Sequence, residues 1–113
     1  MNERETITIK QIDHIGIRVS DLDRAMAFYG VLGFEFEHQS ANDAVMIIKN
    51  GRGVEINLIY NANDTNDGKN ILMDVGTKYA GYTHIALGVD SIKRTIDVLA
   101  ANDILITQGP VMM

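Results

Sequence analysis

Two stretches decide the fold, DHIGIRVSDLDRA at residues 13–25 and THIALGVDSIKRT at 83–95. Each writes a histidine, a short apolar strand, an acidic turn and the start of a helix, and the two histidines, His14 and His84, stand 70 residues apart. In the first stretch Ile12 to Val19 alternates. One face carries Ile12, His14, Gly16 and Arg18 and the other Ile15, Ile17 and Val19, and one of the two must be core. Ser20 follows as helix N-cap, Asp21 and Asp23 suit the positive end of a helix dipole, and Leu22, Ala25, Met26 and Tyr29 recur at helical spacing. Gly33 ends this helix, because glycine enters the left-handed conformation without a steric penalty.

The second stretch repeats the order: a strand from Thr83 to Val89, Asp90 as N-cap, then Ile92, Ile96 and Leu99 on one helical face, with Asn102 or Asp103 where Gly33 stood. Laid without gaps over His14 to Phe34, residues His84 to Ile104 keep four identities, a His, an Ile, a Val and an Arg. Those identities sit inside matching strand, cap and helix patterns, and agreement across levels is what separates a repeat from a coincidence.

Between the copies, strands are expected at Phe34 to Gln39, Ala44 to Lys49 and Val54 to Tyr60, separated by the turn residues Ala41-Asn42-Asp43 and Asn50-Gly51-Arg52-Gly53. The expected fold class is therefore α+β, built of paired β-α-β-β-β modules in one domain of 113 residues. Module one runs over about 10–61, an exposed connection centred on NANDTNDGKN over 62–82, and module two over 83–113. The second module is short. From His14 to Asn61 the first copy spans 48 residues, whereas His84 to Met113 spans 30, so about two strands are missing and the second copy is expected to be truncated.

Composition narrows the function. Ten Lys and Arg against fifteen Asp and Glu give a net charge of −5 without a basic cluster, which argues against nucleic acid as a partner. No cysteine is present, which removes disulfides, thiol nucleophiles and sulfur-ligated zinc together. The longest strongly apolar run, Val45 to Ile48, is far short of the roughly 20 residues that cross a bilayer, and MNERETITIK lacks the apolar core of a secretion signal. A cytoplasmic protein that keeps clear of membranes is expected.

Two modules packed about a pseudo-twofold axis would set their first strands side by side and let His14 and His84 converge. With carboxylate from other strands, that makes a nitrogen and oxygen site suited to Zn, Ni, Mn or Fe(II). His38, at the end of FEFEH, reads as a hydrogen-bonded structural residue. Phe28, Tyr29, Leu22 and Met26 read as core, and Asp21 and Asp23 as cap chemistry.

DHIGIRVSDLDRAMAFYGVLGF at 13–34, INLIYN at 56–61, GTKYAGYTHIALGVD at 76–90 and GPV at 109–111 together resemble the vicinal oxygen chelate superfamily, which includes glyoxalase I, extradiol dioxygenases, fosfomycin-resistance proteins and bleomycin-binding proteins. The look is closest to glyoxalase I-like proteins. The resemblance implies a divalent metal (Ni, Zn, Mn or Fe), with His14 and His84 as ligands on the first strands of the two modules. Where glyoxalase I reads Ile-Glu-Leu-Thr-Tyr-Asn, this chain reads INLIYN, so Asn57 takes the place of a ligand glutamate. Glu55, two residues earlier on the same strand face, is then the expected third ligand or base, and Asn57 a polar group lining the substrate site.

The activity implied is that of a lyase or isomerase that chelates a small substrate through two oxygens and moves a proton through an enediolate, as on the hemithioacetal of glutathione and a 2-oxoaldehyde. Two alternatives share the fold: a two-histidine-one-carboxylate enzyme, such as an extradiol dioxygenase or a fosfomycin-type transferase, and a metal-free ligand-sequestering protein of the bleomycin-resistance type. An incomplete module leaves a strand edge and an apolar concave face open, so a homodimer is expected.

Overall fold

Both helices are punctuated by the same local chemistry, 70 residues apart. In the computed structural model, which describes residues 4–63 and 67–111, helix α1 (Leu22–Val31) is capped by Asp21, whose side chain accepts from the Arg24 N–H. Helix α2 (Ile92–Ala101) is capped by Ser91, whose hydroxyl accepts from the Arg94 N–H. The true caps thus lie one residue past Ser20 and Asp90. A side-chain oxygen can cap only where the backbone is extended and the first free N–H groups are in reach.

The C-termini match as closely. Gly33 N–H donates to Gly30 O at 3.0 Å and Phe34 N–H to Tyr29 O at 3.0 Å; seventy residues on, Asp103 N–H donates to Ala100 O at 3.1 Å and Ile104 N–H to Leu99 O at 2.9 Å. Each is a Schellman closure, and it forces the residue after the cap to positive φ, +91° at Gly33 and +58° at Asp103.

The chain divides into two compact units, Met1–Ala62 and Asn63–Met113. The first contains a four-stranded sheet in the order β1-β4-β3-β2. Its strands are β1 (Ile15–Arg18), β2 (Glu35–Ser40), β3 (Val45–Lys49) and β4 (Glu55–Ile59). β2, β3 and β4 form an antiparallel meander, and β4 returns parallel to β1 with Ile15 beside Ile56 and Gly16 beside Asn57.

Turn chemistry sets these registers. Asn50 Oδ1 accepts from the Arg52 and Val54 N–H groups, and Gly53 takes a φ of +81°, which fixes Lys49 opposite Glu55. A register shift between Phe36 and His38 leaves Glu37 as an extra residue on β2.

The question of faces left open by the β1 alternation is settled by packing. Ile17 and Val19 lie against the core of Ala25, Phe34, Met46, Ile48, Ile56 and Leu58, with Leu22, Met26, Tyr29 and Leu32 from α1 closing over it. Ile48, Ile56 and Leu58 are fully buried. Tyr29 sits edge-on between Phe28 and Phe34, and its burial pushes the phenol above its usual range. Phe28 is more exposed, at 41%. The opposite sheet face therefore carries Gly16 and Arg18 with Glu55, Asn57 and Ile59, and that is where the candidate site residues fall.

In the second unit α2 is the one helix or strand among the described residues. The stretch Thr83–Val89 carries no ladder, contrary to the strand expected there. A helix closes its own hydrogen bonds, whereas a strand is recorded only when a second strand pairs with it. α2 keeps Ile96 and Leu99 half-buried while Ile92 is 60% exposed. Within the expected connection, Asn70 organises a turn by accepting from the Leu72 N–H, and the Asn70 N–H donates to Asp74. Residues 64–66 of that connection, and 112–113 of the expected second module, lie outside the described residues.

Candidate metal and substrate site

At one end of the sheet of the first unit, β2, β3, β4 and the residue before β1 contribute to a row of ionisable side chains. His14 immediately precedes β1, and the parallel register that sets Ile15 beside Ile56 sets His14 beside Glu55. The His14 Nδ1–H donates to Asp13 Oδ1 at 2.8 Å, and the same nitrogen lies 3.9 Å from Glu55 Oε2. On the other side of Glu55, Oε1 is 3.6 Å from Lys49 Nζ, and Lys49 is in turn 3.9 Å from Glu37 Oε1.

One ligand atom from each of Asp13, His14 and Glu55 falls within 4.8 Å of the others. Glu55 is the most enclosed of these groups, its side chain 18% exposed against 45% for His14. A carboxylate largely removed from water beside two nitrogen groups is held where Coulomb terms exceed their bulk-water values.

Two residues further along β4, on the same face, lies Asn57. It is flanked by Gly16 on β1 and Ile47 on β3, and its Oδ1 is buried without a hydrogen-bond partner among the described residues. An unpaired buried carbonyl oxygen is costly, and in native structures it commonly marks a place where a bound group completes the hydrogen bonding.

Of the residues singled out in the sequence, the structure brings His14 and Glu55 together and sets Asn57 on their face. His84 belongs to the second unit, where it is exposed and its Nδ1 lies 2.8 Å from Thr83 Oγ1. His38 is exposed on β2, in register with Ile47. Asp13, Lys49 and Glu37 were not picked out in the sequence. Asp13 was legible as a carboxylate next to a candidate ligand, and Lys49 from the Asn-Gly-Arg-Gly turn that sets it opposite Glu55, whereas Glu37 depends on the register shift in β2.

The model of the Glyoxalase/Bleomycin resistance protein/Dioxygenase superfamily matches residues 11–113. The chain belongs to that superfamily. Solved structures carry the same fold. A glyoxalase/dioxygenase from Nostoc punctiforme superposes with a TM-score of 0.68 at 20% identity, over 98% of this chain and 85% of that one. An integron cassette protein from the mobile metagenome of V. cholerae gives 0.64 at 20% identity, over 94% and 77%. A counterpart from V. pseudocholerae gives 0.65 at 19% identity over the same shares. No curated protein matches the sequence, and at these identities the structural likeness speaks for fold alone.

The superfamily commonly binds metals, and the donors at the sheet end fit one. An imidazole nitrogen and two carboxylate oxygens are the ligand types that borderline divalent cations accept. Among the described residues no helix is long and apolar enough to cross a membrane.

Proposed function

We propose that this superfamily member is a metal-dependent lyase or isomerase of the glyoxalase type, acting on a small substrate that offers two chelating oxygens. The observation that carries the reading is the convergence of Asp13, His14 and Glu55 beside the open face of the sheet. These three would hold a Ni, Zn, Mn or Fe(II) ion. His84 joins the reading as the repeat equivalent of His14, in a copy whose helix caps, Asp21 and Ser91, stand at matching positions. When bound, the ion supplies Lewis acidity that stabilises negative charge developing on a substrate oxygen.

Glu55 serves as the third ligand or, where Asp13 and the histidines hold the ion, as the group that moves the proton. Its carboxylate takes the proton from the carbon next to the substrate carbonyl and returns it to the neighbouring carbon, an isomerisation that balances without a further reactant. Asn57 lines the path two residues away, its free Oδ1 turned to account as acceptor for a donor group on the substrate. The working form is taken as a homodimer, a reading supported by Ile7, Ile9 and Ile12, 86%, 78% and 78% exposed ahead of β1.

The test is metal content and Ni²⁺ titration of the purified protein, with its mass followed by sedimentation in the same samples. His14→Ala and Glu55→Gln are expected to weaken Ni²⁺ binding by about tenfold or more each, since each removes one of few ligands, and His84→Ala to do the same. Equal Ni²⁺ affinity in all variants would place the metal away from these residues, and an unsubstituted protein that binds no Ni²⁺ would move the protein to the metal-free, ligand-sequestering branch of the superfamily.

A further inference from the structure

We infer that Lys49 is the positioning residue for Glu55, holding one carboxylate oxygen so that the other is presented to the cation site. The inference rests on the metal reading above and adds to it a group outside the ligand set.

Three observations carry it. Lys49 and Glu55 are a directly opposed cross-strand pair, so the ammonium reaches the carboxylate along a path that the sheet register fixes. The two oxygens of Glu55 are divided between different neighbours: Oε1 lies 3.6 Å from Lys49 Nζ, and Oε2 lies 3.9 Å from His14 Nδ1. Lys49 is itself anchored from the far side, because the extra residue in β2 brings Glu37 Oε1 to 3.9 Å from the same ammonium. The sequence Glu37, Lys49, Glu55, His14 thus crosses all four strands at one level, with charges alternating up to the imidazole.

Two opposing effects of the ammonium must be weighed. It orders a ligand carboxylate, and it repels an incoming dication. Lys49 is 41% exposed, so water and salt screen the repulsion heavily. Ordering acts on a carboxylate only 18% exposed, and loss of such an outer partner typically costs about 10–100-fold in metal affinity. Ordering wins, and the sign of the lysine's effect on affinity is favourable.

The experiment is Ni²⁺ titration by calorimetry on the full chain and on Lys49→Gln, Lys49→Arg, Glu55→Gln and the Lys49→Gln/Glu55→Gln double variant. Lys49→Gln should bind Ni²⁺ about tenfold more weakly. Lys49→Arg, which keeps charge and reach, should stay within about threefold, a rescue that a mere packing role does not give. With Glu55 already neutral, removing Lys49 should change Ni²⁺ binding no further. A urea-unfolding cycle on the metal-free unsubstituted protein, Lys49→Gln, Glu55→Gln and the double variant should show coupling between positions 49 and 55, a readout independent of metal.

Lys49→Gln binding Ni²⁺ as tightly as the unsubstituted protein, or more tightly, overturns the inference and leaves the metal reading standing. An unsubstituted protein that binds no Ni²⁺ overturns the metal reading, and the inference with it.

Discussion

Replacing Asn57 by valine should make the protein more stable, although it removes a residue from the candidate site. Asn57 sits mid-strand in β4 between Gly16 and Ile47, and its Oδ1 is buried without a hydrogen-bond partner among the described residues. Such an oxygen forfeits its hydration on folding and receives nothing in return, at a cost of about 1–3 kcal/mol. The residue as a whole is only half-buried, which argues for the lower part of that range, about 1 kcal/mol. Valine also suits a strand better than asparagine, and its branched side chain would lie against the half-buried Ile47, adding about 0.5 kcal/mol. The sum is about 1.5 kcal/mol in favour of the Asn57→Val variant. With a urea slope of about 1.5 kcal/mol per molar for a chain of this size, the midpoint should rise by about 1 M. Equilibrium urea unfolding followed by far-ultraviolet circular dichroism reads this directly. An unchanged or lowered midpoint would refute the reasoning, because it would mean that the native structure already satisfies the oxygen.

The two Schellman closures give a pair of predictions of opposite sign. Gly33→Ala forces a Cβ to φ +91° although no atom lies within 4 Å to obstruct it, so backbone strain alone should cost about 1 kcal/mol. Asp103→Gly removes the corresponding strain at φ +58° and should gain about 0.5 kcal/mol after the added freedom of the unfolded chain is subtracted. Urea midpoints of the two variants should therefore move in opposite directions. Leu58→Ala, at a fully buried position in the centre of the sheet, should cost about 3 kcal/mol by lost burial and the cavity left behind; a loss under 1 kcal/mol in the same assay would contradict the core assignment.

What could be read from the chain beforehand follows the range of the interactions. Both helices, their stops and the alternation of β1 were legible because caps, glycine at positive φ and amphipathic spacing are written within a few residues. Gly33 was readable for that reason, while Asp103 was narrowed only to itself or Asn102, since an acidic residue tolerates the left-handed state without announcing it. The meander was legible through its turns. The ladder expected at Thr83–Val89 was not, because a strand is a property of two segments, and its alternating residues carry no mark of whether a partner lies alongside.

The site divides along the same line. His14 stood out through the repeat and Asn57 through its family motif, but neither shows which carboxylate faces the imidazole. That is settled by the parallel register of β1 on β4, which pairs position 16 with 57 and so position 14 with 55. A glutamate at 57 would lie beside Gly16, reaching diagonally toward the histidine, whereas Glu55 lies directly beside it and within 3.9 Å. An asparagine at 57 therefore still leaves a carboxylate, Glu55, beside His14. On the proposed reading the acidic group takes a place one strand repeat away, with Lys49 opposite it in register, and the amide at 57 would face substrate instead.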